Sequence, residues 1–548
     1  MSATFNDVSR EVVISGLSEV PEVGGLLGGL IGLFWPPSGA DIWAEIQSKV
    51  EALIDQKLAD QVKKDVDATL SGLKAVIQDY KTNVKGRRSD AVAAYTSAEA
   101  AFDAAKPHFM VSGSELLLLP LTVQLANMHL ALLRDAVLFG AQWGRDKHWI
   151  GQKQLNLAKQ IKEYVDFAHT WFINGYISAG PLPRYKPHPY ETRADQPHLP
   201  IDRGRYRARM WSFRNKYVRE MTLAVLDYAF YWPSFDPNSV AAKQVPPLTR
   251  EIYSNAEGVP DSDRYVGVGP APAQPISNVA VWEGYGVSAV QVSYGKTQGP
   301  RMGRTDGTQP AGWQGAVTAE KPITRVNGLA DVTLNQLQLT FKGGAKAVAA
   351  AGQKNGHKFS WHFHDHILSS ITIMGASDHA AAADCAIFGF RPRKYADQPA
   401  PQLYKSAMAG NWSAGLTVFD YFDQALAIAQ FWVNADGDKV RGLAWRYPVG
   451  NAIRVGDIPE NLDGVNSMIK LDPGRSIKAL TLKDSSYGYG SVQRIEITPS
   501  NGHMWSAGVD GGHSTSIPCA GRCIVGFFGT INPDNFINCL GVYLRPAQ

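Results

Sequence analysis

The sequence predicts an α+β multidomain protein, with a helical N-terminal part and an all-β C-terminal part. Three observations carry that reading. Apolar residues recur every three to four positions up to about residue 233, and every second position after about Pro246. One run, Leu116–Leu133, has eighteen residues without a formal charge, about the length that spans a bilayer. The β part also repeats itself at an offset near 154, as a duplicated structural unit does.

The chain has 548 residues, 19% of them charged, and a net charge of +4. That length allows two to four domains, each with its own core. The charge is mildly basic and has no long Lys/Arg run, which argues against nucleic acid as a partner. The N-terminal MSATFNDVSREVV lacks the basic start and apolar stretch of a signal peptide, so a soluble protein without a secretion signal is expected. Four cysteines, Cys385, Cys519, Cys523 and Cys539, are too few for a disulfide-built scaffold and read as buried or free thiols.

Taken in order, the helical part opens with the glycine-rich GGLLGGLIGLF (24–34), too short to span a membrane. Its glycines suit close packing of helices. Residues 42–57 and 58–84 follow with apolar 3–4 spacing, and 88–106 is rich in alanine, a strong helix former. The apolar run lies in Leu116–Phe139; Pro120 is expected near its helical start. The adjacent Arg134 and Asp135 do not share a face, and should pair with neighbouring helices. Residues 146–176 and 205–232 are further amphipathic stretches. Between them Ile177–Gly204 holds six prolines and reads as an exposed loop open to tryptic cleavage.

In the second half VSAVQVSYG, LNQLQLTF, SSITIMG, IKALTLKD, VQRIEITP and CIVGFFG alternate as strands do. Residues 366–392 align without gaps on 520–546 at an offset of 154, placing Gly375 on Gly529, Asp384 on Asn538 and Cys385 on Cys539. Residues 287–294 align on 440–447 at an offset of 153. Two units of about 265–397 and 405–548 follow. His362, His364 and His366 alternate and would share one face of a strand, where they could bind a transition metal or sense protons; a solvated strand without a ligand is the preferred reading.

The stretches VPEVGGLLGGLIGLFWPPSGADIWAEIQSKVEALIDQKL (20–58), LANMHLALLRDAVLFGAQWG (125–144), YVREMTLAVLDYAFYWPSFD (217–236) and LTREIYSN (248–255) resemble the Cry-type insecticidal δ-endotoxins, in the same order along the chain. The terminal CIVGFFGTINPDNFINCLGVYLRP is similar to the closing strands of jacalin-related lectins. The resemblance implies a pore-forming bundle of about seven helices around the central apolar one. It implies two tandem β-prisms after it, the last in place of that family's jelly roll, with boundaries at 1–255, 256–400 and 401–548. A bundle of amphipathic helices hides an apolar helix until it opens. In the family the central helix and the one before it insert as a hairpin. The membrane-inserting residues here would then include Leu116, Leu119, Val123, Leu125, His129, Leu133 and Leu138. Asp90, Glu99 and Asp103 would face water and line the pore, with a preference for cations.

The lectins' Gly-x-x-x-Asp sugar motif is only partly kept, as Ala380…Asp384 and Asp534…Asn538. Loops 293–315, 484–491, with Tyr487, and 503–514, with Trp505, are further glycan or receptor candidates. The expected partners are a target-cell membrane and a protein or glycan receptor on it, with oligomers forming in the membrane. The protein would be released or deposited inside its cell of origin, and would act at the target plasma membrane. The alternative is a soluble carbohydrate-binding defence lectin without pore activity. No catalytic residue, metal ligand or cofactor is assigned: GxSxG, HExxH and a phosphate-binding glycine loop are all missing from the sequence.

Overall fold

The computed structural model describes residues 5–178, 200–260, 267–269, 274–284, 286–304, 313–350, 355–377, 382–395, 397–398, 403–411, 417–465, 467–485, 490–500, 502–532 and 534–547. It divides into two compact units, one of residues 1–180 with 217–248 and one of 181–216 with 249–548.

The first unit is helical. Its helices are α1 (Phe5–Ser18), α2 (Gly25–Phe34), α3 (Ile42–Ile54), α4 (Asp60–Asn83), α5 (Arg88–Phe109), α6 (Glu115–Phe139) and α7 (Lys147–Ser178). After the end of α8 (Pro200–Met221) come a π-helical turn (Thr222–Leu226), α9 (Asp227–Tyr231) and a 3₁₀ turn (Trp232–Phe235). α1 went unread in the sequence; its apolar face, Val13, Ile14 and Leu17, is buried. Arg10 anchors it by an ion pair to Asp227 (2.8 Å) and pairs within α1 to Asp7 (2.9 Å). α3 starts on Asp41, whose carboxylate caps the amide of Ala44 (2.9 Å). Of the glycines of α2, Gly29 serves close packing, since a Cβ there would lie 3.0 Å from Val12, whereas one on Gly32 would meet nothing within 4 Å; from the other side, a Cβ on Gly16 of α1 would lie 2.6 Å from Leu26.

α6 is the centre. It is long and apolar enough to cross a membrane, and its most apolar window is 94% buried inside the unit. α2, α3, α5, α7, α9 and the two turns after α8 all pack on it. The helix starts at Glu115 rather than at Pro120, which sits within it. The proline-rich expectation ends sooner than Gly204: α8 begins at Pro200, where a ring-fixed φ suits a first turn, and residues 179–199 lie outside the described set.

The second unit contains two β-prisms. In the first, one sheet joins β1 (Ile252–Tyr253), β2 (Glu257–Gly258), β11 (His366–Ser377) and β12 (Ala382–Pro392). The next runs β5-β4-β3-β6, from β3 (Ile276–Glu283), β4 (Val287–Tyr294), β5 (Thr297–Gly303) and β6 (Trp313–Ala316). The third runs β10-β7-β8-β9, from β7 (Ile323–Ala330), β8 (Leu334–Phe341), β9 (Lys346–Ala350) and β10 (His357–Trp361). The three sheets touch pairwise, β11 on β5, β11 on β7 and β3 on β9.

The second prism repeats this plan. β13 (Tyr404–Lys405), β14 (Ala409–Gly410), β24 (Arg522–Ile531) and β25 (Ile537–Pro546) match the first sheet, extended by β15 (Thr417–Phe422). β16 (Gln430–Asp436), β17 (Lys439–Arg446), β18 (Ile453–Gly456) and β19 (Ser467–Lys470) form the second sheet in the order β18-β17-β16-β19. β20 (Ile477–Asp484), β21 (Val492–Pro499), β22 (Trp505–Gly508) and β23 (His513–Ile517) form the third, in the order β22-β21-β20-β23.

Even the bulges recur, as features of a shared backbone plan do. Pairing shifts between Leu368 and Ser370 in one copy and between Ile524 and Gly526 in the other. These registers correct the gapless alignment. Met374 lies opposite Cys385, whereas Thr530 lies opposite Cys539, so β11 and β24 correspond at an offset of 156 while β12 and β25 keep 154. Gly529 therefore matches Ile373, not Gly375. The offset of 153 over 287–294 holds, since Trp282–Ala289 and Asn434–Gly442 both directly precede a bulge.

The first sheets of both prisms share a core containing Met374, Cys385, Cys523, Val525, Phe528, Cys539 and Tyr543, with Trp211 of α8 packed into it. Trp211 donates to Asp420 (3.0 Å), and Asn215 donates to the carbonyls of Tyr253 and Ser254. All four cysteines are free and buried.

Candidate functional site

A helix as apolar as α6 is stable inside a packed bundle when its few polar side chains find partners. Thr122, Gln124, Asn127, His129, Arg134 and Asp135 each find at least one, while Nε2 of His129 and Nε of Arg134 stay without a hydrogen bond among the described residues. Thr122 donates to the carbonyl of Phe109 (2.8 Å), and Trp232 donates to Asn127 (2.8 Å), which in turn donates to Gln124 (2.9 Å). Arg134 reaches the carbonyl of Gly16 in α1 (2.9 Å). Asp135 accepts from the Gly24 amide (3.0 Å) and the Tyr80 hydroxyl of α4 (2.8 Å). Arg134 and Asp135 thus bind different neighbours, as their positions imply. His129 shares a 2.9 Å hydrogen bond with the Tyr164 hydroxyl of α7 and stacks on Phe102 of α5, with ring centres 5.1 Å apart. Burial pushes the Tyr164 phenol well above its ordinary pKa, so its hydroxyl stays protonated.

Of the inserting residues expected on α6, Leu119, Val123, Leu125, His129 and Leu133 are fully buried, and Leu116 and Leu138 are half-buried at its two ends. Of the three acids on α5, Asp90 and Asp103 are exposed. Glu99 is not: it accepts from Lys153 of α7 (2.7 Å) and from Asn156 (3.4 Å). In the closed bundle, then, α7 covers Glu99, while the expectation of water-facing acids concerns the inserted hairpin. Sequence reading missed Lys153, Lys106, Glu163 and Tyr164. The usable signal was spacing: Glu99 and Lys106 on α5, like Lys153 and Gln160 on α7, are seven residues apart and share a helix face.

The candidate sugar residues are placed differently from the expectation. Asp384 is 4% exposed in β12 and Asn538 is 1% exposed in β25. Short strands cover them: the Asp384 carbonyl accepts from the Val259 amide (3.1 Å), and the Asn538 side chain donates to the carbonyl of Asn411. The approach is so close that Gly258 (φ 98°) and Gly410 (φ 89°) have no room for a Cβ, which would lie 2.1 Å from the carbonyls of Asp384 and Asn538. Neither side chain meets solvent in this state. Trp505 is half-buried in β22, edge-on to Phe431 with ring centres 6.0 Å apart, beside the exposed Met504. Tyr487 lies outside the described residues.

The histidine run does not form one strand. β10 ends at Trp361, residues 364–365 turn with Asp365 at φ 50°, and β11 begins at His366. His366 instead contacts Arg250 (3.0 Å) and the carbonyl of His364. Among the described residues, no three His, Cys, Asp or Glu side chains gather as metal ligands would.

Against known proteins, residues 12–181 match the family model of the delta endotoxin N-terminal domain, and residues 408–543 match that of the jacalin-like lectin domain. Pesticidal crystal protein Cry7Aa of Bacillus thuringiensis is 32% identical over 247 residues, covering 43% of this chain and 20% of that protein. Cry1Id of the same species is 31% identical over 252 residues, covering 44% of this chain and 32% of that one. The match therefore spans between a fifth and a third of these relatives' length. Among solved structures, the insecticidal delta-endotoxin Cry8Ea1 from Bacillus thuringiensis shares the fold with a TM-score of 0.55 at 16% identity, over 99% of each chain. The Bacillus thuringiensis insecticidal crystal protein Cry7Ca1 does so with a TM-score of 0.55 at 16% identity, over 100% of each chain.

Proposed function

We propose that this chain, in which a delta endotoxin N-terminal domain precedes β-prisms ending in a jacalin-like lectin domain, is an insecticidal pore-forming toxin. The observation that carries the reading is α6: a helix of membrane-spanning length and apolarity, kept out of water by a shell of amphipathic helices. Its helices hold their backbone hydrogen bonds internally, so the α5–α6 hairpin can leave the bundle and enter lipid without breaking them. Residues Leu116, Leu119, Val123, Leu125, His129, Leu133 and Leu138 would then meet lipid or neighbouring helices. Asp90, Glu99 and Asp103 would line a path that favours cations.

The prisms would find the target cell through a membrane receptor, protein or glycan, using loops such as 503–514. The working division is 1–255 for membrane insertion, with 256–400 and 401–548 for recognition. The activity is one of binding and permeabilisation rather than catalysis, exerted by a soluble protein at the target plasma membrane, with oligomers forming there. The relatives' names, pesticidal crystal proteins, support this reading.

Calcein release from phosphatidylcholine vesicles, alone and with target gut membranes, tests it. Release that stops on Leu125→Asp, in a variant whose helical unit is still folded at the assay temperature by circular dichroism, supports insertion of α6. No release in either setting overturns the reading and leaves the carbohydrate-binding defence lectin.

A further inference from the structure

The seam between α5 and α7 is an exchange of lysines. Lys153 of α7 reaches Glu99 of α5, and Lys106 of α5 reaches back to Gln160 (2.8 Å) and Glu163 (2.7 Å) of α7. Both contacts advance by seven residues on each helix, so the two helices run in the same direction and the contacts repeat after two turns. The side chains of Lys153, Glu99 and Lys106 are only 19%, 13% and 13% exposed. Pairs so enclosed are poorly screened by salt, and removing one partner leaves the other charge stranded. Lys153 is also held over the rings of Tyr95 (5.2 Å) and Trp149 (5.4 Å), a placement that favours a cation.

Resting on the pore reading above, we propose that Lys153 is a built-in counter-ion that masks Glu99 in the closed bundle. Parting α5 from α7 then both unclasps the α5–α6 hairpin and uncovers a charge for the ion path. Asp90 and Asp103 are already exposed, so Glu99 is the member of the acidic set whose charge depends on opening. A carboxylate inside the seam cannot attract an ion while an ammonium group neutralises it; once the helices separate, water replaces that group.

The test uses the full-length protein and calcein-loaded phosphatidylcholine vesicles, with hydrogen exchange of α5 amides read in parallel. Lys153→Met should speed release roughly fivefold and raise α5 exchange by a similar factor, the scale of losing one enclosed pair. Lys153→Arg, which keeps the charge, should recover slow release. Glu99→Gln should also speed release, but lower the cation preference of the conductance, which Lys153→Met should leave as it is. Wild-type release and exchange in both Lys153→Met and Glu99→Gln would overturn the clasp. Faster α5 exchange without release from any protein, wild type included, would keep the clasp and overturn the pore reading.

Discussion

The helical unit and the β unit bury comparable apolar cores but hold them together in different ways. In the helical unit, each helix satisfies its own backbone, and its neighbours are reached through side chains: His129 to Tyr164, Asp135 to Tyr80, Glu99 to Lys153. In the β unit, the strands complete one another's backbone. Arg522–Ile531 bonds on one side to Ile537–Pro546 and on the other to Thr417–Phe422, and the core behind it is shared by both prisms. Helices can therefore part at the cost of side-chain contacts, whereas strands cannot leave without exposing peptide groups. The half that can rearrange is the helical one, and the half that presents a fixed surface is the β one.

The sharpest way to break that contrast is Leu125→Asp. Leu125 is 0% exposed at the centre of α6, and an unpaired carboxylate there should cost about 4 kcal/mol or more. Thermal unfolding followed by circular dichroism should show the helical transition fall while the β transition stays put. A matched fall in both would mean that the two units unfold as one.

Phe528→Ala tests the other side. Phe528 lies in the core between the prisms, under Lys405 and beside Tyr543. Its removal should cost about 3–5 kcal/mol, and because the core is shared, strands of both prisms should lose protection from hydrogen exchange together. Loss confined to residues 403–547 would make the prisms independent.

A smaller effect is expected for Tyr164→Phe, which leaves Nδ1 of His129 without its hydrogen-bond partner inside the bundle. About 2 kcal/mol is the usual cost of a stranded buried polar group, to be read as a shift of the helical transition in urea at constant slope. An unchanged midpoint would show that stacking on Phe102 alone holds His129.

The least change at neutral pH belongs to Lys405→Met. Lys405 donates to the carbonyl of Val268 (2.8 Å) and lies over the Phe528 ring. Burial pulls its pKa well below the ordinary lysine value, with nearby Asp420 only partly opposing this. The folded state then binds this proton less tightly than the unfolded chain, so stability rises with pH through the window between the depressed value and about 10.4, and falls as pH drops through it. Lys405→Met should flatten that slope, while at pH 7 the gain from removing a costly buried charge and the loss of its bond to Val268 and its ring contact oppose each other, leaving a net change of less than about 1.5 kcal/mol. Urea midpoints at pH 7 and pH 10 decide it; an unaltered slope would assign the pH dependence elsewhere.

Much of this was legible before any coordinates. The central helix, the change of period near Pro246, the six strands quoted from the β half and the duplication all rest on spacing within a few residues, or on similarity at one offset. The rest was not. Gly375 seemed to match Gly529 because a two-residue change in offset across a hairpin leaves no mark in a gapless alignment. Asp384 and Asn538 read as loop-side acceptors, but short strands more than 120 residues earlier in sequence lie over them. Glu99 was expected to face water from the family resemblance, and the lysine that covers it in the closed bundle lies 54 residues away on another helix.

The sequence alone determined the long helices from residue 42 onward and the six strands quoted from the β half, and that one helix is apolar enough for a bilayer, because hydrophobic period and run length are properties of neighbouring residues. Tertiary structure alone decided that Lys153 neutralises Glu99, that His129 is held by Tyr164, and that two prisms share a core. Those contacts join residues 54, 35 and more than 100 positions apart, and such pairings are set by how helices and sheets pack rather than by any local preference of the chain.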